Sequence, residues 1–440
     1  MSKSLRYHST RSASPTVSIS QAIAAGLAPD GGLYVPKSLP RLDPNAFDPY
    51  GSLVDTAVTL LTPFFEGDPL AVALPAICNE AFNFDAPLRH LPAHPNTMML
   101  ELFHGPTSAF KDFGARFLAA CLTRLTLASA QPLTILVATS GDTGAAVAAA
   151  FHRQPGLRVV ILYPDGRVSP RQAHQLGCFG DNVTALRVAG RFDDCQRMVK
   201  AALNDAALQA DVPMSSANSI SLGRLLPQMT YYAHAALGWW CEHGTPLSFI
   251  VPTGNLGNAM ACLWAREMGL PIGEVRLACN ANTTLPDFFG GADYQPREAV
   301  ATIANAMDVG APSNFERLRW TFPDEAQLRQ LLHVHSVDDD TIRQTITSHA
   351  RDHDEVLCPH TATAMHELDR LRAAGDTSPW AVVATAHPAK FESVVEPLIG
   401  HPVPVPAALV SMLARTTHSQ PISADDKLLR ERLVLDRVGR

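Results

Sequence analysis

Lys111 is the residue of this chain whose position most directly suggests covalent chemistry. It follows an apolar stretch, residues 98–103, that predicts a strand, and it lies where a predicted helix begins. The N-terminal end of a helix carries partial positive charge, so an ammonium group is poorly placed there. Because Phe110 and Phe113 flank the amine of Lys111 in the sequence, the pKa of this amine should be lowered, as a nucleophilic amine requires. We interpret Lys111 as an amine that holds an aldehyde cofactor as a Schiff base. The alternative is a solvated lysine beside two core phenylalanines.

A loop with the sequence TGNLGN, residues 253–258, lies between a later predicted strand and a helix. Backbone N–H groups and the helix dipole bind phosphate at such a position, and glycine lets the backbone approach the anion closely. The loop is neither GxGxxG nor a P-loop, and no acidic residue follows about 20 positions later to bind a ribose. We therefore predict a site for one phosphate group. The alternative is an ordinary tight turn.

The loop SGDTG, residues 140–144, occupies the same position in an earlier strand–loop–helix unit. Its hydroxyl and N–H groups are suited to holding a carboxylate. The alternative is that Asp142 or Thr143 serves only as the N-cap of the next helix.

Two further candidates are polar residues close to predicted helix starts. Asn218, Ser219 and Arg224 could form a second anion site, because a guanidinium and a hydroxyl suit phosphate oxygens. The alternative is a capped helix with an exposed arginine. Thr385, at the end of a predicted strand, could place a hydroxyl beside a heteroaromatic nitrogen, or it could cap the next helix.

The elements that position these residues alternate between apolar strands and helices, which predicts parallel sheets with helices on both faces. Ligands bind at the C-terminal ends of the strands in open α/β sheets, where all the candidate loops fall. The predicted strands after the lysine helix are 133–138, 158–163, 183–188, 248–252, 275–279 and 381–385. Helical patterns are predicted at 52–65 and 69–81, and helical, charged sequence between 323 and 374.

Composition limits the class of protein. With 440 residues, 46% of them hydrophobic, the chain can form two or three domains with large cores. A net charge of −7 without a basic aromatic patch disfavours nucleic acid, and no apolar run is long enough to span a membrane. The eight cysteines lack CxxC spacing and are predicted to be reduced and buried. His349 and His353 have helix-face spacing but no evident third ligand, so we predict no metal site.

Nine stretches of the chain together resemble the threonine synthase family, within the fold type II (tryptophan synthase β-like) enzymes that use pyridoxal 5'-phosphate. They run in family order from near residue 7 to about residue 392. The first of the nine consists of two segments near the N terminus, YHSTR and PDGGLYVP. The other eight are ELFHGPTSAFKDFGARF, ATSGDTGAAVA, ILYPDGRVSP, SANSISLGRLLPQ, VPTGNLGN, ANAMDVGAPSN, CPHTATAM and TAHPAKF.

The resemblance implies a role for each candidate. Lys111 would be the catalytic, cofactor-binding lysine, Thr385 would face the pyridine nitrogen, and Asp142 would contact the cofactor. The residues implied to bind the cofactor phosphate are Gly254, Asn255, Leu256, Gly257 and Asn258. Those implied to bind substrate are Ser140, Gly141, Thr143, Ser219 and Arg224, the last two through a phosphate group.

The resemblance also implies an α/β fold of type II, with two open α/β domains, parallel or mixed sheets, and the cofactor in the cleft. Residues 1–95 would be an N-terminal segment packed on the large domain. Residues 96–221 would hold the strand and the lysine helix that lead into the small domain, 106–221. Residues 222–440 would form the large domain. We expect the domains to close on the substrate, which excludes water during the reaction.

The implied activity is that of a lyase which converts O-phospho-L-homoserine and water to L-threonine and phosphate, the last step of threonine biosynthesis. The alternatives are a phospho-lyase or dehydratase that releases 2-oxobutyrate, and a non-catalytic relative that binds phosphorylated metabolites or a protein partner. We expect a cytoplasmic monomer or weak homodimer that binds a small molecule, no metal, no nucleic acid and no membrane.

Overall fold

The computed structural model of the chain describes residues 5–127 and 131–438. The strands are β1 Tyr7–Ser9, β2 Tyr34–Pro36, β3 Leu88–His90, β4 Thr97–Glu101, β5 Leu133–Ala138, β6 Leu157–Pro164, β7 Val183–Ala189, β8 Met214–Ser215, β9 Leu247–Pro252, β10 Ile272–Cys279, β11 His333–Ser336, β12 Trp380–Ala384 and β13 Gln420–Ser423.

The helices surround these strands. They are α1 Ile19–Ala25, α2 Leu53–Phe65, α3 Leu74–Ala81, α4 Lys111–Thr126, α5 Asp142–Phe151, α6 Pro170–Gly177, α7 Phe192–Asn204, α8 Ala206–Asp211, α9 Leu222–Leu225, α10 Met229–His243, α11 Gly257–Glu267, α12 Thr284–Phe289, α13 Phe315–Thr321, α14 Glu325–Leu331, α15 Asp339–His353, α16 Pro359–Ala373, α17 Glu392–Ile399, α18 Ala407–Leu413 and α19 Asp426–Val438.

Two largely parallel sheets form the framework, as the alternation of strands and helices predicts. The six-stranded sheet has the order β11-β10-β9-β12-β4-β3, and only its edge pair β3–β4 is antiparallel. The five-stranded sheet has the order β13-β7-β6-β5-β8 and is parallel throughout. Every residue of β9 and β12 is buried, because helices cover both faces of the sheet.

Helix α4 connects the two sheets and is largely buried. It follows β4 of the six-stranded sheet and leads to β5 of the five-stranded sheet. Phe113 and Phe117 on α4 are fully buried, and each contacts Phe82. The first turn of α4 is therefore held by packing on several sides.

The structure corrects several predicted boundaries. Helix α4 begins at Lys111 instead of near Ala109, because Ser108 has a positive φ of 56° and the N–H of Phe110 donates to the carbonyl of Thr385 at 2.8 Å. Helix α3 begins at Leu74, five residues later than predicted, after a short 3-10 turn. Strand β11 lies inside the region predicted as helical.

The predicted division into domains stays a prediction, with one difference in strand pairing. Residues 222–440 are predicted to form the large domain, but β13 pairs in parallel with β7 of the five-stranded sheet. The short sequence of β13 carries no signal for its partner, since only the sheet edge it meets decides the pairing.

Other predictions concern the N-terminal segment, the cysteines and membranes. Strand β1 pairs with β2, and the Tyr7 hydroxyl donates to the Phe64 carbonyl at 2.9 Å, so the start of the described chain is integrated into the fold.

All eight cysteines are free thiols, but Cys241 is exposed, contrary to the prediction that all are buried. Among the described residues, no helix combines the length and apolar character needed to cross a membrane.

Candidate active site

Lys111 lies where β4 and β12 of the six-stranded sheet end. The residues just before Lys111 are hydrogen-bonded to the segment that follows β12. The Phe110 N–H donates to the Thr385 carbonyl at 2.8 Å, and the His387 N–H donates to the Ser108 carbonyl at 3.0 Å. These two bonds fix the first turn of α4 beside Thr385. Lys111 is therefore placed at the sheet edge that the sequence predicts.

The amine of Lys111 has a lowered pKa. Its Nζ lies 4.9 Å from the centre of the Phe110 ring. Burial lowers the pKa of Lys111 to about 8; the nearby carboxylate of Asp142 opposes this shift, and the cations of Arg224 and Lys390 add to it. A larger fraction of neutral amine is thus present near neutral pH than for an ordinary lysine.

Phe113 does not flank the amine, contrary to the prediction. Its ring packs in the core against Phe84 at 4.6 Å and Tyr231 at 5.0 Å between ring centres. Phe113 lies two positions after Lys111 on α4, and side chains two positions apart on a helix do not face each other.

Asp142 forms an ion pair that the sequence did not reveal. Its Oδ1 lies 2.8 Å from Nζ of Lys390, both side chains are buried, and Gln172 Nε2 donates to the same oxygen at 3.0 Å. Burial alone would raise the pKa of Asp142, but the cations of Lys390 and Lys111 hold it well below its usual range. Asp142 is a buried anion and not a helix cap. It is the first residue of α5, the N-cap position is Gly141, and no side chain caps the helix.

The rest of the SGDTG loop is shaped by close packing. Thr139 Oγ1 accepts hydrogen bonds from the N–H groups of Gly141 and Gly144, at 3.0 and 2.9 Å. Gly141 has a φ of 136°, and a Cβ there would lie 2.7 Å from Gln172 Nε2. Only glycine meets both conditions.

The TGNLGN loop uses its two glycines differently. A Cβ on Gly254 would lie 2.7 Å from the Cα of Met307, whereas a Cβ on Gly257 would make ordinary contacts at 3.6 Å. Leu256 takes the left-handed conformation, with φ of 62°. Helix α11 begins at Gly257, so the N–H groups of its first turn have no intrahelical acceptor and are available to an anion.

A buried arginine outside the predicted site supports this loop. Asn255 Nδ2 donates to Ser219 Oγ at 2.6 Å, and Asn314 Nδ2 donates to the Asn255 carbonyl at 3.0 Å. Arg317 is fully buried and donates to Asn314 Oδ1 at 2.7 Å and to the Tyr34 carbonyl at 3.1 Å. The loop is therefore held from the N-terminal segment as well as from α13.

Two buried donors near the loop lack acceptors. Asn258 Oδ1 accepts hydrogen bonds from the hydroxyls of Tyr231 and Tyr232, which leaves Nδ2 buried without a partner among the described residues. Arg224 is also buried; its Nη1 donates to the Ala217 carbonyl, but its Nε has no partner within the described chain. Burial lowers the pKa of Arg224 to about 10. A buried donor without an acceptor is costly, and a bound ligand can supply the acceptor.

The predicted site residues, with one exception, line a single cavity of about 540 Å³. Those that line it are Lys111, Ser140, Asp142, Thr143, Asn218, Ser219, Arg224, Gly254, Asn255, Leu256, Gly257, Asn258 and Thr385. Gly141 is the predicted site residue that does not line it. The cavity thus combines an amine, two sets of anion donors and a buried carboxylate.

Comparison with known proteins assigns the family. The model of the family described as "Pyridoxal-phosphate dependent enzyme" matches residues 83–389, and those for the threonine synthase N terminus and C-terminal regions match residues 6–82 and 361–432. A threonine synthase of Serratia marcescens is 39% identical over 92% of this chain and 94% of its own length. The chain belongs to the threonine synthase family.

Solved structures of threonine synthases have the same fold. The Escherichia coli enzyme matches with a TM-score of 0.90 at 36% identity, covering 98% of this chain and 100% of its own. The threonine synthase of Brucella melitensis, whose structure has pyridoxal phosphate bound, matches with a TM-score of 0.90 at 34% identity, covering 99% and 100%. The predicted α/β fold, the pyridoxal phosphate dependence and the family are thereby confirmed.

The cavity fits the cofactor of the threonine synthase family. Lys111 offers an amine of lowered pKa to an aldehyde, and the start of α11 offers free N–H groups to a phosphate. Asn258 Nδ2 offers a buried donor for which the protein supplies no acceptor among its described residues. Thr385, buried at the end of β12, lines the same cavity.

Sequence reasoning missed four residues in or beside the cavity: Lys390, Arg317, His360 and Asp308. His360 and Asp308 line the cavity. Burial lowers the pKa of His360 to about 4, and its Nε2 accepts from the Ala306 N–H at 3.0 Å. Burial raises the pKa of Asp308 to about 7. Three of these residues lie in stretches that carry the family resemblance: His360 in CPHTATAM, Asp308 in ANAMDVGAPSN and Lys390 in TAHPAKF. Those stretches were the signal in the sequence that could have found them.

Proposed function

We propose that this chain converts O-phospho-L-homoserine and water to L-threonine and phosphate with bound pyridoxal 5'-phosphate. In the net reaction the bond from Cγ to the phosphate oxygen breaks, and Cγ gains a proton. Cβ loses one proton and gains the hydroxyl of water, and the other proton of water leaves with the released phosphate. Two anionic groups must then be held at once, the cofactor phosphate and the substrate phosphate. The two sets of anion donors in the cavity support this requirement.

We assign the cofactor to Lys111, Asp142, Thr385 and the 254–258 loop. Lys111 would bind the aldehyde, and the N–H groups at the start of α11 would bind the phosphate. Thr385 would place its hydroxyl at the ring nitrogen. When bound, the cofactor supplies an electron sink for the carbon that loses its proton.

We assign the substrate to the remaining predicted residues. Arg224 and Ser219 would bind the substrate phosphate, and the unpartnered Nε of Arg224 is the donor that supports this role. Ser140 and Thr143 would bind the substrate carboxylate. Gly141 does not line the cavity, and its N–H already donates to Thr139 Oγ1, so it would support the loop that holds these two residues.

Lys111 would also move protons. Its neutral form, favoured by the lowered pKa, can accept the proton from Cα and return it at a neighbouring carbon. Asp142 and Lys390 would keep a fixed charge pair beside it. The nearness of this amine to a second, arginine-containing anion site is the single observation that carries the proposal.

The same cavity would also serve a phospho-lyase that stops after elimination and releases 2-oxobutyrate. Product analysis with O-phospho-L-homoserine in water labelled with heavy oxygen separates the two. We expect L-threonine as the main product, with the label in its hydroxyl and none in the released phosphate. Lys111→Ala is the control and should form neither product while remaining folded. 2-Oxobutyrate as the main product would overturn the proposal.

The remaining parts of the proposal concern assembly. The match with the family supports a small-molecule substrate, and the mild net charge of −7 gives no reason to expect nucleic acid. We propose a cytoplasmic monomer or weak homodimer, with the small domain at 106–221 and the large domain beyond it. Analytical ultracentrifugation at two protein concentrations measures the oligomeric state.

A further inference from the structure

Three histidines meet on the side of the six-stranded sheet away from the cavity. His94 lies in the turn just before β4, and His349 and His353 lie one turn apart on α15. The His94 ring lies 5.4 Å from that of His349 and 4.8 Å from that of His353, between ring centres. One nitrogen from each ring lies within 4.8 Å of the others. His94 supplies the third imidazole that the sequence did not reveal for the pair on α15.

The ring nitrogens of this cluster are oriented to bind a ligand. His349 Nε2 lies 2.8 Å from Oδ2 of Asp369 on α16. A carboxylate only accepts, so Nε2 carries the hydrogen, and Nδ1 of the neutral ring carries the lone pair. That Nδ1 is buried and has no hydrogen-bond partner among the residues described. A histidine held by a carboxylate through its other nitrogen is the usual arrangement of a metal ligand.

His94 presents the same unmet requirement. Its Nε2 is buried without a partner within the described structure. Two buried nitrogens without partners are a cost that a bound ion would remove.

We propose that His94, His349 and His353 bind one divalent transition-metal ion of the zinc type, with Asp369 as the residue that orients His349. Imidazole ligands suit Zn²⁺, and three histidines with one open position for water are an established zinc arrangement. Nitrogens bound to Zn²⁺ lie about 3.4 Å apart, as follows from Zn–N distances near 2.0 Å and tetrahedral angles. In the structure the three ligand nitrogens lie within 4.8 Å of one another, so a bound ion would draw them closer together.

The site would stabilise the fold instead of taking part in the reaction. His94 precedes the N-terminal end of β4, whereas the cavity lies at the C-terminal ends of the strands. None of the four residues lines the cavity. An ion there would tie the turn before β4 to α15, and through Asp369 to α16. A ligand that binds only the folded chain stabilises it in proportion to its concentration and affinity.

Zinc titration of the untagged, cofactor-loaded protein against a chromophoric chelator tests this proposal. We expect one Zn²⁺ per chain at this site. His353 is exposed, so His353→Gln can be made without disturbing the core, and it should weaken Zn²⁺ binding at least tenfold. Asp369→Asn should weaken it by roughly 10–100-fold, as loss of an orienting carboxylate does. His401→Gln, at an exposed histidine outside the cluster, should leave binding unchanged.

Thermal unfolding provides a second readout. Zn²⁺ should raise the midpoint for the wild type and for His401→Gln but not for His353→Gln, and turnover without added metal should be equal in all three. Circular dichroism checks that each variant is folded. The proposal is overturned if the wild type binds no stoichiometric ion, or if His353→Gln binds Zn²⁺ as tightly as the wild type.

Discussion

The carboxylate of Asp142 lies 2.8 Å from Nζ of Lys390, with both side chains buried beside Lys111. Lys390 Nζ also donates to the Thr107 carbonyl at 2.7 Å, in the loop that leads to α4. A buried charge is tolerated only when it is paired and hydrogen-bonded. The pair therefore fixes a negative charge next to the amine and connects the SGDTG loop to the segment after β12.

Removing Lys390 should be costly for stability. Lys390→Met leaves the buried Asp142 carboxylate without its cation, and such a loss destabilises by about 3–5 kcal/mol. Urea denaturation measures this free energy. The double variant Lys390→Met with Asp142→Asn removes both charges and should recover part of the loss. Equal stability of Lys390→Met and the wild type would contradict the pairing.

The pH dependence of cofactor binding should report the lowered pKa of Lys111. Only the neutral amine reacts with an aldehyde, so the rate at which the apoenzyme acquires its visible absorbance band should rise with pH up to about 8 and then level off. N-acetyl-lysine with the same aldehyde is the control, and its rate should keep rising toward pH 10. A rate for the protein that also rises to pH 10 would exclude the lowered pKa.

The same group affects the stability of the apoenzyme. Between pH 8 and 10.5 the unfolded chain binds a proton at Lys111 that the folded chain does not, so this residue's contribution to the unfolding free energy rises with pH. Below pH 8 both states are protonated and the contribution is constant. The difference between wild type and Lys111→Met in urea denaturation at pH 7 and 10 measures it.

The two glycines of the phosphate loop should respond differently to alanine. Gly254→Ala forces a Cβ to within 2.7 Å of the Met307 backbone and should destabilise even the apoenzyme, by about 1–3 kcal/mol. Gly257→Ala meets only ordinary contacts, so it should leave the apoenzyme as stable as the wild type. It should still weaken cofactor binding, because its Cβ narrows the approach to the helix start. Fluorescence titration with pyridoxal phosphate and urea denaturation distinguish the two effects.

Substitution of Arg224 should mainly affect substrate binding. Arg224→Met removes the unpartnered Nε, and a lost hydrogen bond to a charged group of about 1.5–3 kcal/mol corresponds to roughly a 10–150-fold rise in KM. Inhibition by inorganic phosphate should weaken in parallel. Arg224→Lys keeps the charge and should show a smaller effect. The absorbance of the bound cofactor is the control for folding. An unchanged KM would contradict the assignment of Arg224 to the substrate phosphate.

We also expect closure on the substrate. Helix α6 already contacts the segment after β12: Arg171 Nη1 donates to the Ala389 carbonyl at 2.6 Å, and Ser169 Oγ donates to the Lys390 carbonyl at 2.8 Å. A phosphonate analogue of the substrate should add contacts across the cavity and slow limited proteolysis. Equal cleavage rates with and without the analogue would count against closure.

Local sequence was sufficient for the framework of the site. The strand at 133–138 was predicted with the boundaries it has, because a strand buried on both faces is a continuous apolar run. The loops 140–144 and 253–258 were identified because glycine, hydroxyl and N–H groups between a strand and a helix can hold an anion, although a tight turn or a helix cap would have the same local sequence. That Lys111 joins them at one cavity followed from the parallel arrangement of the strands.

Tertiary structure decided which side chains complete each group. Lys390 pairs with Asp142, Arg317 holds the phosphate loop, and His94 completes the cluster on α15, in each case across a long stretch of chain. No local pattern encodes such pairings, since they depend on which surfaces meet when the sheets pack. The sequence, through its resemblance to a known family, therefore predicted the cofactor and singled out Lys111 as the candidate amine. Only the fold decided how the buried charges and histidines are matched, because those contacts join residues far apart in the chain.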